Sequence, residues 1–306
     1  MKATMRCRVR AYLARRRALR FRLRSEGCRL LSFARYADRH ASQGRLSNKL
    51  AIAWCSLRKD ADRHCWARRL EAVRRLAKHL IVADPKTEIP PRHLFGPAER
   101  PYRPLIYSPQ QIRQLLTAAR NLPGQLRPWT YPTLIGLLTC TGLRISEALG
   151  LKLPEVDLQK GLLLVHDSKF HQTRWVPLHP TALAPLLAYS RRRQRRFPFA
   201  DHFFASERGT ALAYSSVHSV FSRLRQGIAH QGHPPRIHDL RHTHACRVLQ
   251  RWQASRRGAY GRVLILSRYL GHHHVRDTYW YLHALPELMA GAGKRFEHYD
   301  HENPCG

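Results

Sequence analysis

The sequence predicts a mainly α-helical chain of two domains, the second carrying a small antiparallel β-sheet. Three observations lead there. Apolar residues recur at helical spacing through most of the 306 residues, one proline-rich stretch interrupts the pattern, and a single β-prone segment breaks it again. With 43% hydrophobic residues the chain can build two real cores, which excludes a purely disordered basic tail.

In residues 1–90, Leu30, Leu31, Phe33, Ala34 and Ala37, and then Trp66, Leu70, Val73, Leu76 and Leu80, fall on helical faces, so this region reads as a basic helical N-terminal domain. Six prolines between Ala83 and Pro104, without apolar periodicity, mark an extended linker centred on residues 91–106. The second domain, 107–306, opens with a helix that Ser108 caps and Pro109 starts, with Ile112, Leu115, Leu116 and Ala119 on one face. Helices over Tyr131–Cys140 and Arg144–Gly150 follow, separated by a Thr141-Gly142 turn. The segment GLLLVHDSKFHQTRWVPL, 161–178, holds two β-prone runs around a polar loop and reads as a β-hairpin. Helices return over Thr181–Arg196, Ser215–Gln231, His238–Gln253, Arg262–Leu270, Arg276–Leu282 and Pro286–Phe296. No internal repeat supports a solenoid.

Charge narrows the partner. Lys and Arg number 54 against 20 Asp and Glu, a net +34, and residues 1–80 alone hold 23 against 5. Self-repulsion on this scale disfavours an isolated compact chain and points to a polyanion. An arginine face that merely keeps helices soluble needs no such one-signed excess. No apolar run approaches the roughly 18–20 residues that span a bilayer. The opening residues lack the apolar core of a secretory signal, and an arginine-rich transit peptide is the one targeting segment their composition admits. Seven scattered cysteines without a C-x-x-C pair argue for a reducing, cytoplasmic setting and against disulfides or a zinc finger.

Four segments carry residues suited to phosphate chemistry. In TGLRISEALGL, 141–151, Arg144 opens a helix and can donate paired hydrogen bonds to phosphate oxygens, or else form a salt bridge with Glu147. In HDSKFHQTR, 166–174, Lys169 could donate a proton to a leaving oxygen, although hairpin lysines are commonly just solvated. Arg174 competes for that role, but a guanidinium is a poor general acid. In HDLRHTHA, 238–245, His238 and Arg241 share a helix face. In LGHHHVRDTYWYLH, 270–283, His272 precedes Tyr281 by nine residues. A phenol, with pKa near 10, needs a base or cationic surroundings to attack near neutrality. Tyr279 is a rival nucleophile on a different helix face. His238 and His242 have zinc-like spacing, but the zinc-protease pattern wants Glu where Asp239 stands, which disfavours a metal hydrolase. The run RRRQRR, 191–196, suits a helix C-terminus or a phosphate contact equally well.

The order Arg, Lys, His-x-x-Arg, His, Tyr resembles the tyrosine recombinases, or phage integrases, specifically over about 107–297 and more loosely in the N-terminal region, which looks like the family's core-binding domain. The resemblance implies a two-domain clamp around double-stranded DNA, the second domain being of the integrase type. It implies Arg144 and Arg241 on the scissile phosphate, Lys169 as general acid on the 5′ oxygen and His238 assisting proton transfer from the nucleophile. His272 would hydrogen-bond the phosphate, and Tyr281 would form a 3′-phosphotyrosyl bond. It further implies a homotetramer on synapsed DNA sites in a bacterial, nucleoid-associated setting, with room for an accessory recombinase or host protein. The segment 284–306 would dock on a neighbour. No cofactor, metal or membrane is expected. Arg241 and His272 lie 31 residues apart, more than is usual in the family, and a longer loop at 253–262 is expected to take up the surplus. A non-catalytic DNA-binding protein on the same scaffold, or a type IB topoisomerase, are the alternatives.

Overall fold

The structure is a computed structural model. It describes residues 4–19, 21, 23–40, 45–58, 60–98, 104–166, 173–230, 232–254 and 262–283. The chain divides into two compact units, Met1–Tyr102 and Arg103–Gly306.

The first unit is built on four helices, α1 (Met5–Ala18), α2 (Arg24–His40), α3 (Asn48–Ser56) and α4 (Arg63–Leu80). Three begin where a short polar side chain accepts a backbone N–H of the first turn: Thr4, Ser47 and Asp62. The apolar positions read from the sequence form the core. Leu30, Phe33, Ala34 and Ala37 of α2 and Leu70, Val73 and Leu76 of α4 are buried together with Met5, Val9 and Trp54. Part of the proline-rich stretch is laid against this unit. Ile89 and Phe95 pack on its core, Phe95 meets Trp66 edge-on at 5.6 Å, and Glu88 accepts the Asn48 N–H at 2.7 Å. Prolines erase the periodicity by which burial is read from sequence, but they leave isolated large side chains free to pack.

The second unit has α5 (Pro109–Arg120), α6 (Arg127–Thr141), α7 (Ile145–Gly150), a three-stranded sheet, α8 (Pro180–Arg196), α9 (Tyr214–Leu224), α10 (His238–Ala254), α11 (Val263–Leu270) and α12 (Arg276–His283). Helix α6 packs against α5, α8 and α10. The sheet is antiparallel in the order β1 (Val156–Asp157), β2 (Leu162–Val165), β3 (Arg174–Pro177), with Leu163 opposite Val176 and Val165 opposite Arg174. Leu163, Val165 and Val176 face the core while Trp175 is exposed, the alternation of a one-sided sheet.

The expected helices are present to within a few residues, with one clear exception. Helix α9 stops at Leu224 and gives way to a single 3-10 turn, Arg225–Gly227, rather than running to residue 231. Glycine at 227 weakens continuation, and the Arg225 guanidinium donates to the Pro235 carbonyl at 2.7 Å. The expected helix at 286–296, and residues 255–261 of the expected long loop, lie outside the described residues. In the arginine run, Arg193 is fully buried and donates to the Ala200 and His202 carbonyls, and Arg192 lies 3.6 Å over the Trp129 ring. Both have structural partners within the unit.

Candidate active site

Two helices end in a left-handed glycine, and those two glycines organise the site. Gly142 closes α6 at φ 63° and Gly271 closes α11 at φ 67°. Reversing the chain this way turns carbonyls near the helix ends inward, where they meet arginines from distant segments. Arg241, in the first turn of α10, donates to the Gly142 carbonyl at 2.8 Å and to the Leu270 carbonyl at 2.7 Å, and is 2% exposed. Arg144, the N-cap of α7, donates to the Gly271 carbonyl at 2.9 Å. The two arginines are thereby aimed by backbone oxygens, which leaves each guanidinium with further N–H donors.

Glu147, nearly buried, holds the second half of the arrangement. Its Oε2 accepts the Arg144 backbone N–H at 2.9 Å and its Oε1 the Arg144 guanidinium at 2.7 Å. Arg174, at the start of β3, closes on the same carboxylate with Nη1 and Nη2 at 3.2 and 2.9 Å, while its Nε donates to the Tyr269 carbonyl at 2.8 Å. Burial pushes the Glu147 pKa up, but the hydrogen bonds and charges of Arg174 and Arg144 more than offset it, and the net direction is down. The Arg144–Glu147 salt bridge that the sequence offered as the alternative to phosphate binding therefore exists, buried and shared with a second arginine.

Helix α12 supplies the tyrosine. Tyr281 is 3% exposed, within an apolar cluster of Ala245, Cys246, Leu249, Val263, Leu266 and Leu270. Its ring stacks at 6.1 Å on His272 and lies 5.5 Å from His242. Burial raises the phenol pKa, and the charge of Arg241 and a hydrogen bond from it pull the other way. Tyr279, two residues earlier, is 43% exposed.

The imidazoles nearby are held neutral. His272 Nδ1 shares a 2.7 Å hydrogen bond with the hydroxyl of buried Thr278. Lost hydration and the charges of Arg241 and Arg144 lower its pKa to about 3. His238 retains an exposed edge, yet lost hydration and then Arg241 and Arg144 lower its pKa to about 4. His242 fills the space between His238 (4.8 Å), Trp280 (5.5 Å) and Tyr281. Lost hydration first, and cationic neighbours second, explain why these imidazoles resist protonation.

Five of the six residues singled out in the sequence, Arg144, His238, Arg241, His272 and Tyr281, are thus brought to one place by α7, α10, the α11–α12 turn and α12. Lys169 lies outside the described residues, in the connection between β2 and β3. Glu147 appeared in the sequence reading only as an alternative partner of Arg144, while Thr278 and His242's place beside Tyr281 went unread. The i+3 spacing of Glu147 from Arg144 was the available signal for the first. Arg174 does not stand free as a proton donor: its guanidinium is committed to Glu147 and Tyr269. Among the described residues no group of three or more His, Cys, Asp or Glu side chains is placed to hold a metal ion, and no helix is long and apolar enough to cross a membrane.

The glycines give a direct test of this geometry. A Cβ on Gly271 would stand 2.8 Å from Arg174 Nη1, whereas one on Gly161, at nearly the same φ of 65°, would meet only ordinary contacts. Gly161→Ala is expected to cost about 1–2 kcal/mol for the left-handed backbone. Gly271→Ala is expected to cost more than that in thermal unfolding and to slow DNA cleavage besides, because the Arg174 guanidinium must shift from its place between Glu147 and the Tyr269 carbonyl.

Residues 107–287 match the model of the phage integrase family. The chain belongs to that family, the tyrosine-type site-specific recombinases. It is 38% identical over 307 residues to y4rB of Sinorhizobium fredii (strain NBRC 101917 / NGR234), an integrase/recombinase by its assigned name, covering 96% of this chain and 98% of that one. It is 29% identical to tyrosine recombinase XerC of Actinobacillus pleuropneumoniae serotype 7 (strain AP76), over 71% of this chain and 67% of XerC. Among solved structures, the Tn1549 transposon integrase in complex with transposon right end DNA superposes with a TM-score of 0.71 at 16% identity, covering 96% of this chain and 99% of that one. A lambda integrase tetramer bound to a Holliday junction gives 0.63 at 18% identity, over 89% and 76%. These two likenesses establish the mainly helical fold with its small antiparallel sheet.

Proposed function

We propose that the chain cuts and rejoins double-stranded DNA at specific sites through Tyr281, with Arg144 and Arg241 on the scissile phosphate. His238 and His272 act beside them, and Lys169 is the general acid. The observation that carries this reading is the convergence of two arginines and two neutral imidazoles, from separated segments, on one buried tyrosine. In the step itself, Tyr281 Oη bonds to phosphorus and the bond from phosphorus to the 5′ oxygen breaks. Lys169 supplies a proton to the departing oxygen, and the DNA is left as a 3′-phosphotyrosyl ester. Negative charge grows on the non-bridging oxygens as this happens, and donors already fixed in place stabilise it without reorganising.

The electrostatics suit these roles. Burial makes Tyr281 reluctant to ionise, so its proton needs an acceptor; His238 is neutral at pH 7, and a bound phosphate's negative charge would offset the arginine charges that otherwise keep it a weak base. For His272 to donate Nε2–H to the phosphate, its Nδ1 must accept, and the Thr278 hydroxyl then provides the hydrogen bond that fixes this tautomer. Fixed cations perform the charge stabilisation that a metal performs elsewhere. The ester conserves the bond energy, so a 5′ hydroxyl of a partner strand reverses the step without ATP.

On this reading the basic helices of residues 1–90 and the domain 107–306 close on the duplex as a clamp. Four protomers work on two synapsed sites, with residues 284–306 docking on a neighbour. An accessory recombinase or host protein is a further partner this scheme accommodates, and a DNA substrate places the working protein at the bacterial nucleoid. The test starts from duplexes selected for binding from a random pool and then nicked, so that cleavage cannot reverse. A covalent protein–DNA adduct is expected in EDTA with no nucleotide added, and affinity is expected to fall steeply with salt. Selective binding with no adduct would contradict the reading and leave a DNA-binding protein on this scaffold.

A further inference from the structure

We infer that Arg174 is a positioning residue for the cleavage step, locking the Arg144 segment and the His272 turn into one unit. The inference rests on the recombinase reading above. Its geometry is that of a three-way tie. Nη1 and Nη2 grip both oxygens of Glu147, which in turn holds the Arg144 guanidinium and the first N–H of α7, while Nε binds the Tyr269 carbonyl two residues before Gly271. Arg144 then closes the circuit by donating to Gly271 itself. The guanidinium sits so close to Gly271 that a Cβ there would stand 2.8 Å from Nη1 and force it to shift. Thus β3, Arg144 and the residue preceding His272 are linked through one planar group with 11% of its side chain exposed.

Glu147 has four donors, two from Arg144 and two from Arg174, and so no acceptor position is idle. Taking away Arg174 leaves a buried carboxylate with half its partners. The charged and titratable groups that face Glu147 are Arg144 at its own helix cap, Arg174 on β3, and Arg241 and His238 on α10. Without Arg174, burial is opposed by fewer donors, and the Glu147 pKa rises. A protonated Glu147 has lost its charge and accepts the two hydrogen bonds from Arg144 more weakly, so Arg144 is less firmly aimed. Raising the pH ionises Glu147 again and restores that aim.

The experiment measures single-turnover adduct formation on the selected nicked duplex from pH 5.5 to 9. Arg174→Gln is expected to slow cleavage about 100-fold at pH 7, the scale of a misplaced catalytic group, and to gain an acid limb that the wild type lacks. The Glu147→Gln, Arg174→Gln double variant lacks the titrating group and is expected to be slow at every pH. Arg174→Lys keeps a charge beside Glu147 but cannot also span to the Tyr269 carbonyl. It serves if the glutamine variant does not fold, and is expected to be slower than wild type without the acid limb. Wild-type rates in both single variants, or a slow Arg174→Gln whose pH profile has the wild-type shape, would overturn the positioning role. No adduct from the wild-type chain would instead overturn the recombinase reading itself.

Discussion

Tyr281→Phe is expected to abolish covalent adduct formation at every incubation time while DNA affinity stays at the wild-type value. The reasoning is local. The ring of Tyr281 fills a pocket of apolar side chains from α10 and α11, and a phenyl ring fills the same space. What is lost is the hydroxyl and the hydrogen bond from Arg241, a change of about 0.5–1.5 kcal/mol in stability, far too little to unfold the domain. The basic surfaces that meet the DNA backbone are untouched. Tyr279→Phe is the matching control, and with a ring 43% exposed it is expected to cleave as the wild type does. A gel that separates covalent from non-covalent complexes reads both variants.

Arg241→Lys carries the second large effect. A lysine has one point charge in place of a planar fork, and cannot span the carbonyls of Gly142 and Leu270, at 2.8 and 2.7 Å, as the guanidinium does. One of those buried oxygens is left unpaired, at a cost of about 1–3 kcal/mol. The charge itself is also at risk. Burial and the neighbouring Arg144 already lower the Arg241 pKa to about 10, which still leaves it protonated at pH 7. Lysine starts from a lower pKa and the same burial carries it toward the neutral amine. With the charge-stabilising donors weakened or misdirected, single-turnover cleavage is expected to fall about 10²–10³-fold. A small fall in melting temperature accompanied by wild-type cleavage would show that Arg241 is only a structural tie.

Much of this arrangement was legible in the sequence because it is written in local signals. Ser108 and Pro109 announce α5, and the structure completes a capping box there with Gln111. The Thr141-Gly142 turn ends a helix because only glycine sits easily at that φ, and the β-prone run ending at Val165 is a strand with one buried face. The spacing of His238 and Arg241 already put both on one turn of a helix. Other features depend on partners far apart in the chain. Arg174 looked like a free cation in a hairpin, and nothing nearby reveals that it reaches Glu147, 27 positions earlier, and Tyr269, 95 positions later. Strand β1 is two residues long and exists only because β2 pairs with it. Tyr279 and Tyr281 lie about 200° apart around a helix of 3.6 residues per turn, so one of them must face away from any neighbour. Which one turns inward is set by the packing of α12 on α10 and α11, and that is a tertiary fact.

The central claim is tested most directly by isolating the covalent protein–DNA complex, digesting both components, and identifying by mass spectrometry the peptide that keeps a nucleotide. A single linkage is expected, through the phenolic oxygen of Tyr281 to a 3′ phosphate. A nucleotide on Tyr279 or any other side chain, or attachment through a 5′ phosphate, would contradict it.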